Sequence, residues 1–200
     1  MAFADFDLKT ACERLGLTIE ERTDLFAAVQ AVEVPVRLRE VLETWAPAAL
    51  AMNTEKARSE MIIAPILMAT VRLLGGRVGL FSGITFDVDK DRGLNGTCDF
   101  LLTASPELYF VRDPVLAVVE AKKEDIVGGL GQCVAEMVAA RIFNERGAGQ
   151  SKTVHGAVTT GSNWRFLKLD GTRVFIDPPE YYLDQAGTIL GILVSIADQP

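Results

Sequence analysis

The sequence lacks the features that mark membrane-spanning and disulfide-stabilised proteins. No apolar run approaches the length of a membrane span, and the first residues, from Met1 to Asp5, lack a basic segment followed by an apolar one. The three cysteines, Cys12, Cys98 and Cys133, are odd in number and do not have metal-ligand spacing. We therefore expect buried free thiols in a cytoplasmic protein that does not bind a membrane.

Positive charge and histidine are also scarce. Twenty Lys and Arg against 27 Asp and Glu give a net charge of −7, which argues against sequence-blind binding along a nucleic-acid backbone. The acidic balance does not exclude a nuclease, because a site that binds divalent cations needs carboxylates. His155, the single histidine, lies in an apolar segment without a Ser-His-Asp or Cys-His arrangement, and we interpret it as structural.

The composition of 49% hydrophobic and 24% charged residues is typical of a globular chain. We predict a helical N-terminal extension over residues 1–50 and a core over residues 51–200. The extension shows three helical patterns, which run from Asp7 or Thr10 to Gly16, from a Thr18/Glu21 capping box past Val29, and from Pro35 to about Pro47. It could pack on the core, mediate dimerisation or bind a partner.

The core pattern predicts an α/β fold with a mixed sheet flanked by helices. Its elements are a helix over 54–74 with a kink or restart at Pro65, strands within 77–122, a helix over 125–146, a strand over 154–160, a hairpin that turns at Asp170-Gly171, and a helix over 180–196. Glycines 128, 129 and 131 would let another backbone approach the second helix closely.

Charged residues end the most apolar strand of the chain. Five apolar residues, 115–119, are followed by Glu120-Ala121-Lys122, and alternation along a strand places Glu120 and Lys122 on one face. Burying such charges is costly unless both are compensated. Asp99 is a lone acid in the preceding strand, and Glu60 falls on the apolar stripe of helix 54–74.

These residues suit the hydrolysis of a phosphodiester, which needs charge neutralisation and an activated water. Asp99 and Glu120 would supply the carboxylates that Mg²⁺ prefers, with the carbonyl of Ala121 as a third ligand. Lys122 would orient the attacking water and stabilise the developing negative charge.

Together with Gln132 on the following helix, Glu60, Asp99 and Glu120-Ala121-Lys122 resemble the PD-(D/E)XK nuclease superfamily. The resemblance covers residues 54 to about 176, and in detail it is similar to the N-terminal nuclease domains of type I restriction subunits. Thr97-Cys98 precedes Asp99, so the proline of the motif is absent.

The resemblance implies a restriction-endonuclease-like fold and a nuclease that uses Mg²⁺, with Mn²⁺ as a substitute, on DNA in preference to RNA. It also implies that Glu60 binds through water or holds a second metal ion, and that Gln132 positions Lys122 or the water.

Each residue also has a purely structural interpretation. Asp99 could be a strand-end acid, Glu120 and Lys122 a simple ion pair, Glu60 a solvent-exposed residue and Gln132 a surface amide. Two further residues are less central: we interpret Glu136 as a solvated helix residue rather than a ligand, and Lys123 as contacting either phosphate or water.

The main alternative is a catalytically inactive nuclease-fold domain that binds nucleic acid or a protein. A small-molecule enzyme of unrelated fold is disfavoured because no cofactor motif is present; no Lys-Ser or Lys-Thr follows glycines 128, 129 and 131. Arg165 and Lys168 beside Trp164 and Phe166 could grip a nucleic-acid strand, although a buried aromatic face with solvated charges is favoured. A homodimer or larger assembly is compatible with the sequence.

Overall fold

One eight-stranded mixed sheet flanked by helices organises the chain, as a computed structural model covering residues 1–147 and 153–198 shows. Its strands are β1 Thr18–Glu20, β2 Gly79–Thr85, β3 Thr97–Thr103, β4 Val115–Ala121, β5 Thr153–Thr159, β6 Asn163–Asp170, β7 Arg173–Ile176 and β8 Tyr181–Tyr182. Its helices are α1 Leu8–Leu15, α2 Val36–Met52, α3 Glu55–Arg58, α4 Ala64–Leu73, α5 Ile126–Arg146 and α6 Ala186–Ala197, with a π-helical turn Ser59–Ile63 between α3 and α4. The predicted α/β class is confirmed.

The strand order is β1-β7-β6-β5-β4-β3-β2, with β8 beside β6. Strands β4 and β5 are parallel because α5 carries the chain back between them, and β1 is parallel to β7; the other pairs are antiparallel. The predicted hairpin is present, with Asp170 opposite Arg173 and Gly171 at a φ of +59° in the turn. The predicted core order of helix, three strands, helix, strand, hairpin and helix is therefore confirmed.

Helices cover both faces of the sheet. α1 and α5 pack on one face, and α2, the π turn, α4 and α6 pack on the other. α5 is long and apolar enough to cross a membrane by length and composition alone, but 67% of its apolar window is buried inside the fold. Its packing against β4 and β5 is that of a core helix.

Several predicted helix ends are confirmed by their capping contacts. Asp7 caps α1 by accepting a hydrogen bond from the Thr10 amide at 2.7 Å, and Gly16 ends that helix in the left-handed conformation. The Ala57 amide donates to Thr54 Oγ1 at 3.1 Å at the start of α3. The helix predicted over 54–74 restarts beside Pro65, in the first turn of α4.

The helix predicted from Thr18 is wrong. Thr18–Glu20 is an edge strand that pairs with β7, and the Thr18 amide donates to the Thr172 carbonyl at 3.0 Å. In the irregular segment that follows, Phe26 is buried against Phe166. Tertiary pairing outweighs the local capping signal here, because the strand and the aromatic contact both use partners from the far end of the chain.

Two other helix bounds also differ from the prediction. α2 continues through Pro47 to Met52, since Pro47 removes only one helical hydrogen bond while Ala46 and Ala49 on either side are buried in the core. The final helix begins at Ala186 instead of residue 180, because Tyr181–Tyr182 pairs with β6.

The close approach predicted at the α5 glycines is present, and it can be tested. A Cβ at Gly131 would overlap the backbone of Asp7, at the start of α1. We expect Gly131→Ala to lower the free energy of unfolding by about 1–3 kcal/mol, because two backbones would have to separate. Gly128→Ala is the matched control, since its Cβ would meet only the side chain of Asp125. Equal stability of the two variants in urea unfolding would contradict this packing.

Candidate functional site

The candidate site lies at the edge of the sheet where β3 begins and β4 ends. The ladder between these strands ends at the pair Phe100 and Val119. Beyond that pair, Asp99 Oδ2 accepts a hydrogen bond from the Ala121 amide at 2.8 Å. At this point the Asp99 side chain accepts the hydrogen bond that a backbone carbonyl accepts elsewhere along the two strands.

Glu120 and Lys122 lie on one side of the β4 end, as strand alternation predicts. Lys122 Nζ lies 2.6 Å from Glu120 Oε1 and donates to Gln132 Oε1 at 3.1 Å. Glu120 is 2% exposed, whereas the Lys122 side chain is 24% exposed. Gly129 of α5 makes room for the lysine stem, because a Cβ there would lie 3.0 Å from Lys122 Cγ. Contacts with Glu120 on β4 and with Gln132 on α5 therefore both fix the position of the lysine ammonium.

Burial and like charge set the protonation of this group. Burial, with the nearby Asp99 carboxylate, raises the pKa of Glu120 to about 8, against the opposing effect of Lys122. Burial lowers the pKa of Lys122, but the Glu120 carboxylate outweighs it, so the net pKa is raised. Within the described residues, Glu120 Oε2 is buried without a hydrogen-bond partner. Glu120 Oε2 thus lacks a protein donor, and the protonated carboxyl makes the hydrogen bond with Asp99 that helps to raise its pKa.

Glu136 extends the network, and our interpretation of it as a solvated helix residue is wrong. It is fully buried on α5, and Gln132 Nε2 donates to its Oε1 at 3.1 Å. Burial and the charge of Glu120 raise its pKa well above the ordinary value. The sequence carries a signal for this, because Glu136 lies between Val134-Ala135 and Met137-Val138, four residues after Gln132.

A cleft of about 250 Å³ opens beside the strand ends. Asp99 and Ala121 line it together with Glu60 and with residues of α3, the π turn and β2. Glu60 is 61% exposed and pairs with Lys56 Nζ at 2.7 Å, so the prediction that it points toward the core is wrong. The π turn widens the helix at this point, and Ile62 and Ile63 take the buried positions instead.

The donor atoms suit one divalent cation of the magnesium type. Among residues 1–147 and 153–198, no three His, Cys, Asp or Glu side chains are gathered as a metal-binding group. Asp99, Glu120 and the Ala121 carbonyl remain as donors, and Mg²⁺ is commonly held by one or two carboxylates with waters and phosphate oxygens. The buried, unpartnered Oε2 of Glu120 beside the Asp99 charge is the observation that favours a cation here.

Arg58 was not singled out from the sequence, yet it supports the site. Its guanidinium is buried, and Nη1 donates to the Thr160 carbonyl at 2.8 Å while Nη2 donates to Asn53 Oδ1 at 3.0 Å. These bonds join α3 to the turn between β5 and β6. They therefore fix the helical segment that carries Glu60.

The remaining polar candidates have structural surroundings. His155 is buried near Phe26, and burial lowers its pKa to about 4. Arg165 pairs with Glu180 at 2.7 Å, and the neighbouring Trp164 and Phe166 are fully buried.

The cysteines are also structural. Cys98 and Cys133 are buried and Cys12 is half-buried, and all three are free thiols, as predicted.

Comparisons of the chain with protein-family models, curated proteins and solved structures found no match. The functional interpretation therefore depends on the residues and their geometry.

The raised pKa of Glu120 predicts a loss of stability at alkaline pH. The folded chain holds a proton up to about pH 8 that the unfolded chain releases near 4.5, so the free energy of unfolding falls as pH rises through this window. His155 opposes this slope around pH 6.5, where the unfolded imidazole still binds protons, and by pH 7 that opposing contribution is small. We expect Glu120→Gln to reduce the slope between pH 7 and 8 in metal-free urea unfolding, with the remaining slope due to Glu136, whose pKa is also raised. Glu13→Gln, at an exposed position of α1, should retain the slope. A wild-type slope that is flat or rising would contradict the assignment.

Proposed function

We propose that this chain is a metal-dependent nuclease, a hydrolase that cleaves phosphodiester bonds in DNA in preference to RNA. The observation that carries the proposal is the meeting of Asp99, Glu120 and Lys122 at one sheet edge, with Asp99 lining an open cleft. The resemblance to PD-(D/E)XK nucleases uses the same residues.

Asp99, Glu120 and the carbonyl of Ala121 would hold Mg²⁺, or Mn²⁺ in its place. When bound, the ion would supply Lewis acidity to the phosphate and lower the pKa of a water molecule. On the protein side, Glu120 would release to solvent the proton that burial keeps on it below about pH 8, and it would hold the ion as a carboxylate.

Lys122 would orient the attacking water and stabilise negative charge on the phosphate. Its ammonium is suited to this because Glu120 and Gln132 both accept from it, which limits its position. Gln132 in turn donates to Glu136, so its amide carbonyl stays directed at the lysine. Glu136 is thus a positioning residue in this scheme.

Residues at the cleft mouth would meet the nucleic acid. The exposed Lys56 could contact a phosphate, while its partner Glu60 would bind through water or hold a second ion. With a net charge of −7, such contacts would be local and would not extend along the backbone. We place the activity in the cytoplasm, without a membrane partner, and the sequence is compatible with a homodimer or larger assembly.

A second function is favoured by one observation: Lys122 already contacts Glu120 Oε1 without a metal ion. Lys122 Nζ already contacts two acceptors, and no third carboxylate is gathered within the described part of the chain. An inactive nuclease-fold domain that binds nucleic acid or a protein would keep such a pair for stability.

The nuclease proposal predicts that Lys122→Met lowers the rate of Mn²⁺- or Mg²⁺-dependent DNA cleavage by roughly 100-fold or more, because it removes charge stabilisation at the reacting phosphate. The measurement uses linear, circular and single-stranded DNA, with circular dichroism as the folding check. Lys9→Met is the matched control, since that lysine is 84% exposed on α1 and lies outside the cleft. Cleavage unchanged in Lys122→Met would reject its role.

Metal binding is a separate prediction that distinguishes the two functions. Saturating Mn²⁺ at pH 8 should raise the Tm, since a ligand at 100 times its Kd stabilises a folded chain by about 2.7 kcal/mol. Asp99→Asn and Glu120→Gln should each abolish this rise, whereas Asp91→Asn in the exposed β2–β3 turn should preserve it. No rise in the wild type would contradict the metal site and favour the inactive domain, and a rise that persists in both Asp99→Asn and Glu120→Gln would contradict the assigned ligands.

A further inference from the structure

An apolar groove of about 490 Å³ lies between α2 and α4, away from the candidate site. Four of its large side chains are between 43% and 62% exposed: Val36, Trp45, Met68 and Leu73. Contiguous apolar surface of this kind is unfavourable in water and marks an interaction site.

We propose that this groove binds an amphipathic helix whose flanks carry acidic side chains, supplied by another protein or domain. The inference is independent of the proposed nuclease function.

The dimensions of the groove suit a helix. Its lining residues extend from Pro35, the residue before α2, to Trp45, and from Pro65 to Leu73 on α4. At the rise of an α-helix, these two stretches are about 15 Å and 12 Å long. Helix anchors at positions i, i+4 and i+7 span about 10.5 Å. The partial exposure of the lining side chains makes the groove an open trough, which a rod-shaped segment covers better than a compact molecule.

The charges of the groove select an acidic partner. Arg37 in the first turn of α2 and Arg72 in the last turn of α4 line it, and none of the lining residues is acidic. Within the described ranges, neither arginine has a carboxylate within 4.0 Å. Two unpaired guanidinium groups beside an apolar trough complement a helix with apolar anchors and carboxylates on its flank.

The same charges disfavour a second copy of this chain. A two-fold contact joins the same patch on both copies, so the patch would have to contain both partners of each ion pair. This patch contains cations without acids.

Two synthetic helical peptides of about 14 residues test the proposal, because both present leucines at i, i+3, i+4 and i+7 and differ only in Glu or Lys on the flanks. The fluorescence of Trp45 reports binding, since Trp164 is fully buried in the sheet. We expect the Glu-flanked peptide to bind the full chain about tenfold more tightly than the Lys-flanked peptide. The double variant Arg37→Glu/Arg72→Glu should reverse this preference.

Controls separate the groove from the overall charge. Arg22→Glu/Arg92→Glu changes the net charge equally at exposed positions outside the groove, and it should keep the wild-type preference. Met68→Asp should abolish binding of the Glu-flanked peptide by placing a carboxylate in the trough.

Three results would overturn the proposal: equal binding of both peptides, no saturable binding of either, or a dimer in sedimentation that Met68→Asp dissociates. The last would show that a second copy covers the groove.

Discussion

The buried contact between Glu120 and Lys122 is the interaction on which the candidate site depends. Burial and the Asp99 charge keep the Glu120 carboxyl protonated up to about pH 8, and Lys122 Nζ at 2.6 Å opposes them by favouring the anion. The pair needs a rigid neighbour on each side, which β5 and α5 supply. The backbone amide of Lys122 donates a hydrogen bond to the Thr159 carbonyl, and its side-chain ammonium donates to Gln132 Oε1. Strand β5 and helix α5 therefore both hold the lysine.

The surrounding fold can be understood as the means of holding that pair at an open edge. Asp99 on β3 and Ala121 on β4 line a cleft, and Glu60 of the π turn points outward at its mouth. Gly129 lets α5 approach the lysine stem, and Arg58 ties α3 to the turn after β5. The side chains of Asp99, Glu120 and Lys122 thus lie on or directly after strands that are rigid and well packed, which limits the motion of these groups.

Charge separates two surfaces of the molecule with different chemistry. The cleft beside Asp99 is lined by three acids, whereas the groove between α2 and α4 carries two arginines and no acid. The acidic cleft suits a cation, and the groove suits an acidic helix. The two surfaces are adjacent along the chain, because the π turn that exposes Glu60 leads directly into α4, which lines the groove.

Local signals in the sequence determined the α/β order, the caps at Asp7 and Thr54, the hairpin at Gly171, and the common face of Glu120 and Lys122. These features depend on residues a few positions apart, and the 2.0 and 3.6 periodicities report them directly. Only the tertiary structure decided that Thr18–Glu20 is a strand and that Glu60 points to the cleft. Each of these depends on partners distant in the chain, or on a helical turn wider than the α-helix, and residue spacing carries no information on either.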